Sequence, residues 1–201
     1  MGSRGKYKMT MLVTGGNRGL GATLVNHFAA KSISRIDGFD ITKDIKTIAE
    51  HSLEYDIFVN NAFDGPPHEP WANFAQTNLL YEVYQLWKTY NKQGYIFNIG
   101  SVGEKHIKEP EPMFETYRTS KAALAHASKQ CTAAFKNNLV QFKTTLITLD
   151  RLDTELARSR PTWTGNGIDC HDVAKFIEYS LSITNNSCIE EITVYVNFNS
   201  K

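Results

Sequence analysis

The 201-residue chain reads as one α/β domain, a doubly wound parallel sheet with helices on both faces. Three observations predict it. Short apolar runs of β character alternate with helical stretches along the whole chain. The first of those runs passes directly into a cluster of glycines that opens the first helix. The length suits a single domain spanning 1–201, and the 41% hydrophobic fraction supplies its core.

Each element follows from its pattern. Residues 9–14 (MTMLVT) form a short apolar strand, and 20–30 carry helical spacing. A second strand is expected over 35–39, a short helix over 45–53 and a buried strand over 55–60 (YDIFVN). Pro66, Pro67 and Pro70 then mark a loop, because proline cannot join a ladder. A long helix over 74–90 leads to a strand over 95–99, and a charged loop over 104–112 leads to a second long helix over 114–137. A strand over 144–149, a helix over 171–182 and a last strand over 192–197 complete the pattern. Little chain separates the second strand from the third. The sheet is therefore expected to be compressed there, with a truncated helix and a missing strand.

Charge excludes some partners. The 22 basic and 21 acidic residues leave a net charge of +1, without the footprint of a nucleic-acid or polybasic membrane surface. No apolar run approaches the ~18 residues of a membrane span. Cys131, Cys170 and Cys188 are odd in number and far apart, with no Cys-x-x-Cys pair. Reduced thiols in a cytoplasmic protein are expected, with no metal site. Residues 1–7 read as a flexible, solvated tail.

The segment Thr14-Gly15-Gly16-Asn17-Arg18-Gly19-Leu20-Gly21 joins the first strand to the first helix. Glycines there permit a tight turn and let backbone N–H groups approach a pyrophosphate. The helix start adds unpaired donors and a positive dipole end. No Gly-Lys-Ser/Thr follows, so it is not a triphosphate-binding loop. Asp40 lies about twenty residues on, at the end of the expected second strand. An acid there accepts a ribose 2′-hydroxyl and favours NAD over NADP. Arg18 and Lys43 pull the other way.

These motifs resemble the short-chain dehydrogenase/reductase family. Thr14–Gly21 has its Thr-Gly-x-x-x-Gly-x-Gly form, and Asn60-Asn61-Ala62 is similar to its Asn-Asn-Ala-Gly. Thr77-Asn78-Leu79 resembles its helix motif, Asn98-Ile99-Gly100-Ser101 its serine-bearing strand end, and Tyr117-Arg118-Thr119-Ser120-Lys121 its Tyr-x-x-x-Lys. All stand in the family's order. The resemblance implies a Rossmann-type fold and an NAD(P)-dependent oxidoreductase acting on a small carbonyl or secondary alcohol. It implies a catalytic set of Ser101, Tyr117, Lys121 and Asn78. It also implies a cofactor site of Gly15, Asn17, Arg18, Gly19, Leu20, Gly21, Asp40, Asn61, Ala62, Tyr117, Lys121 and Thr154. A homodimer or homotetramer through the two long helices is expected on the same ground.

The chemistry accounts for the residue types. Reducing a carbonyl requires a proton donor, and a tyrosine hydroxyl with its ordinary pKa of about 10 needs help near neutrality. A lysine at i+4 shares its helix face and is expected to lower that pKa. In the resemblance, Ser101 polarises the carbonyl and Asn78 holds a relay water. Three features depart from the family. Phe63 replaces its glycine, Asp150 stands where a glycine faces nicotinamide, and 155–168 is short for a lid. The loops over 64–71, 102–112 and 155–168 are expected to shape the substrate pocket. Two alternatives stand beside this reading, a dinucleotide-binding redox sensor without turnover and a dihydropteridine-reductase-like enzyme.

Overall fold

The computed structural model describes residues 9–63, 70–105, 112–161, 163, 165–183 and 186–197. The tail expected over 1–7 lies outside them. Six strands form one sheet: β1 (Met11–Thr14), β2 (Lys31–Ile33), β3 (Ile57–Asn60), β4 (Gly94–Ser101), β5 (Phe142–Leu149) and β6 (Glu191–Val194). Their order is β2-β1-β3-β4-β5-β6, and every neighbouring pair is parallel. The helices are α1 (Gly19–Phe28), α2 (Ile45–His51), α3 (Ala75–Thr89), α4 (Pro112–Lys136), α5 (Glu155–Arg158) and α6 (Cys170–Ser182). This is the Rossmann-type, doubly wound arrangement that the sequence predicts.

A parallel sheet must be covered on both sides, and its side chains alternate accordingly. Leu12, Phe58, Ile96 and Phe142 face one core with Ile48 of α2, Leu79, Val83 and Trp87 of α3, and Leu124 of α4. Met11, Val13, Ile57, Val59, Phe97 and Ile147 face the other with Leu24 of α1 and Val173 and Ile177 of α6. Trp87 is fully buried; its indole N–H donates to Ser52 Oγ at 2.9 Å and its ring meets Phe142 edge-on at 5.5 Å.

The expected compression is present. A fully wound half carries a third strand outside the second. Here, among the described residues, β2 is the edge, and the chain returns through the seven-residue α2 straight to β3. The second strand itself needs correcting. It spans Lys31–Ile33, while Arg35–Asp37 forms a 3-10 turn. The apolar residues of 35–39 suggested a strand, but Ile36 is 83% exposed and Phe39 packs against the α2 side of the core. The register is instead set by the glycine turn, where Gly15 N–H donates to Ile33 O at 2.9 Å.

Strand order reverses direction at β1. The chain steps from β1 out to β2, then crosses back to place β3 on the other flank. Connections from the two ends diverge, and a crevice opens beyond the C-terminal ends of β1 and β3.

Candidate active site

The glycine turn leaves β1 at that crevice. Gly15 has φ +69°, and a Cβ on it would stand 3.0 Å from Ala62. A Cβ on Gly21 would stand 2.1 Å from the Gly15 carbonyl oxygen, so only glycine lets α1 close on the strand. Arg18, exposed, occupies the N-cap of α1 without a side-chain cap bond, and the first turn holds no acid. The first N–H groups of α1 are thus left for an anion. Asn17 is exposed and its amide donates to Ser34 Oγ, tying the turn to the end of β2. Leu20 is buried in the α1–α6 core, so only its backbone is available to a ligand.

Asn61 and Ala62 brace the same turn from β3. Both backbone N–H groups donate to Thr14 Oγ1 at 2.9 Å, and the Asn61 amide donates to Thr14 O at 2.8 Å. Thr154 caps α5, accepting from Ala157 N–H at 3.2 Å. A Cβ on Gly19 would stand 3.3 Å from the Thr154 methyl, so the segment after β5 reaches the turn.

Ser101, Tyr117 and Lys121 come together at the end of β4. Ser101 is the last residue of that strand, and its hydroxyl accepts from Gly103 N–H at 3.2 Å. Tyr117 stands beside Ser101: a Cβ on Gly103 would lie 3.4 Å from Ser101 Oγ and 3.7 Å from the Tyr117 ring. Lys121, one turn further along α4, is buried, and its amine donates to Gln76 Oε1 at 2.7 Å and to Ile99 O at 3.0 Å. Burial pushes the Lys121 pKa down to about 7, and the nearby Glu104 carboxylate opposes that fall. Burial raises the Tyr117 pKa, against the lowering effect of Ser101 and Arg160. The phenol is not held low as the sequence reading expects, because its burial outweighs the groups that lower it.

Three other residues stand elsewhere than the sequence suggests. Asn78 is exposed on the outer side of α3, in a groove shared with Lys43 and Lys46. Two positions from Gln76 is about 200° around a helix, so both cannot face Lys121. Asp40 lies seven residues beyond β2. Its carboxylate accepts from Thr42 N–H at 2.8 Å and Thr42 Oγ1 at 2.7 Å, which lowers its pKa. It closes the turn before α2 and does not end a strand. Asp150 does not face the crevice freely either, because its carboxylate accepts from Val196 N–H at 3.2 Å.

Phe63 covers Tyr117 and Lys121. Its ring meets Tyr117 edge-on, 5.0 Å between centroids, and lies 4.9 Å from the Lys121 amine. Residues 64–69 and 106–111, in two of the loops expected to shape the pocket, lie outside the described residues. The third, over 155–168, holds the short α5. Among the described residues no group of His, Cys, Asp and Glu could hold a metal ion, and no helix is long and apolar enough to cross a membrane.

Sequence reasoning missed Gln76. The signal was present in the stripe Gln76, Leu80, Val83 and Trp87, which places Gln76 on the buried face of α3.

By sequence, no protein-family model and no curated protein matches the chain. By structure, it is similar to a short-chain dehydrogenase from Burkholderia cenocepacia in complex with NADP, at TM-score 0.66 and 18% identity, covering 93% of this chain and 88% of that one. It is similar to a β-ketoacyl-[ACP] reductase from Bacteroides thetaiotaomicron at TM-score 0.69 and 20% identity, with 93% and 97% covered. It is also similar to the 3-alpha-hydroxysteroid dehydrogenase from a Pseudomonas species complexed with NADH, at TM-score 0.71 and 16% identity, with 92% and 94% covered. The chain thus shares the Rossmann-type fold of solved short-chain dehydrogenases and reductases.

Proposed function

We propose that this protein is a nicotinamide-dinucleotide-dependent oxidoreductase of the short-chain dehydrogenase/reductase kind, acting on a carbonyl or secondary alcohol. The observation that carries the reading is the meeting of Ser101, Tyr117 and Lys121 at the end of β4, on the same C-terminal rim of the sheet where the glycine turn leaves β1. Solved proteins of the same fold hold NADP and NADH.

The turn fits such a group. A Cβ on Gly15 or Gly21 would press on backbone, and the start of α1 is uncapped and free of acid. Residues 15–21 would hold the pyrophosphate, and Thr154 would close over it. When bound, the dinucleotide supplies or accepts a hydride. Ser101 Oγ orients the substrate oxygen, and Tyr117 gives that oxygen its proton in reduction or takes it in oxidation. Lys121 lies behind the phenol and exchanges charge with it. Asn78 is too far round α3 to share in that exchange.

NADP(H) is favoured over NAD(H). Asp40 already holds Thr42 through one oxygen, and Asp37 accepts from Ser34 Oγ at 2.7 Å through one of its own, so both acids are partly engaged within the protein. Arg18 in the turn and Arg35 just past β2 are both exposed and carry the charge that a 2′-phosphate needs. Association into a dimer through α3 and α4 belongs to the same proposal. It draws support from Tyr81 and Tyr90, which are 60% and 67% exposed on α3 and at its end.

A Tyr117→Phe variant tests the mechanism. Turnover of any carbonyl substrate should fall at least a hundredfold, a general acid being worth about 10²–10⁴. Dinucleotide affinity should hardly change. Turnover that survives in the variant sinks the tyrosine mechanism. Binding without turnover in the unaltered protein favours a redox sensor, a reading that the Phe63 ring over Tyr117 and Lys121 supports.

A further inference from the structure

Gln76 holds the amine of Lys121 in a way fixed from behind. The side-chain N–H₂ of Gln76 donates to Asn60 O at 2.6 Å and to Ile99 O at 3.3 Å. Both partners accept only, so the amide cannot flip, and its oxygen must face Lys121. Asn60 extends the lock. Its amide donates to Gln76 O at 2.9 Å and to Asn98 Oδ1 at 3.0 Å, and Asn98 donates to Ser128 Oγ at 3.2 Å. Gln76 is 2% exposed and Lys121 5%.

Lys121 therefore has two acceptors, Gln76 Oε1 and Ile99 O. A charged amine donates three bonds, and a neutral one donates two and keeps a lone pair. The two acceptors satisfy either form. What changes with protonation is the third position; the amine lies 4.9 Å from the Phe63 ring centroid and 5.8 Å from that of Tyr117.

We propose that Gln76 is the positioning residue of the site: it fixes Lys121 so that the amine keeps two bonds in both protonation states and presents its third valence to Tyr117 as donor or acceptor in turn. This rests on the oxidoreductase reading only for its catalytic meaning. Charged and titratable groups around the amine are few among the described residues. Tyr117 lies on the same helix, and Glu104 follows β4 and acts through its field. α3 contributes the neutral Gln76 and the end of β3 the neutral Phe63.

The test is an NMR titration of the lysine Cε resonances, with the Lys121 signal assigned as the one lost in Lys121→Met. In the unaltered protein the Lys121 midpoint should lie near neutrality. Gln76→Glu places a carboxylate on the amine and should raise the midpoint by more than one pH unit. Gln76→Met has similar volume but no acceptor and should lower it. Methionine also serves if the glutamate variant fails to fold. A merely structural glutamine would change the melting temperature and leave the midpoint in place, so an unchanged midpoint in a folded variant overturns the proposal. Dinucleotide binding is measured separately on the unaltered protein. Its absence would defeat the oxidoreductase reading while the titration still reports on Gln76.

Discussion

Phe63 stands where the family that the sequence resembles carries a glycine. The ring lies edge-on to Tyr117 and against the Lys121 amine. An edge-to-face aromatic contact is worth roughly 0.5–1.5 kcal/mol beyond its buried area. Phe63→Gly removes it and should tighten dinucleotide binding about two- to tenfold in a fluorescence titration. Unchanged affinity would mean that the ring already leaves the ribose its space. Lys121 makes a second prediction at this scale. Its pKa falls from 10.5 in the unfolded chain to about 7 when folded. Between those values the unfolded chain binds the extra proton, so this group's contribution to stability rises with pH, by at most about 1.4 kcal/mol per unit. Below pH 7 both states are charged and the contribution is flat. Urea melts of Lys121→Met, set against the unaltered protein, should show that slope missing between pH 7 and 10. Parallel curves would mean that the amine is solvated.

Elements explain which parts of the site were legible. The glycine turn was, because close approach of α1 to β1 leaves no choice of residue at Gly15 and Gly21. Gly21→Ala would force its methyl to 2.1 Å from the Gly15 carbonyl oxygen. Overpacking of that kind costs about 1–3 kcal/mol and should open the turn. Expected are a lower melting temperature and loss of dinucleotide binding together; retained binding would separate the turn from the ligand. Tyr117 and Lys121 were legible too, since i and i+4 share a face of α4. The inward-facing residue of α3 beside Lys121 was not. Motif similarity selected Asn78, whereas the buried stripe of α3 runs through Gln76, and packing decides which side chain turns inward. The short β2 escaped for a different reason. A three-residue edge strand buries little and has a polar sequence, so the more apolar stretch after it looked more like a strand than it is. Asp40 was misplaced with it, since it lies at the turn before α2 rather than at a strand end.

At the scale of the whole molecule, alternating strands and helices were enough to give the sheet, its parallel sense and the compression beside β2. Both faces are covered, so the two cores depend on each other through one sheet. Trp87 anchors the larger face, fully buried against Phe142 with its N–H satisfied by Ser52. Trp87→Ala should cost about 3–5 kcal/mol in denaturant unfolding, with circular dichroism and fluorescence transitions still coincident. Separate transitions would mean that the faces unfold independently. The strand order β2-β1-β3 places the reversal at β1, so the glycine turn, the end of β4 and the capped segment at Thr154 converge on one rim. Calorimetric titration of the purified protein with NADPH and with NADH addresses that convergence most directly. Saturable micromolar binding, tighter for NADPH and lost in Gly21→Ala, is the expected result. Failure to bind either dinucleotide would show that Phe63 and the segment at Thr154 close the crevice, and the assignment as an oxidoreductase would be wrong.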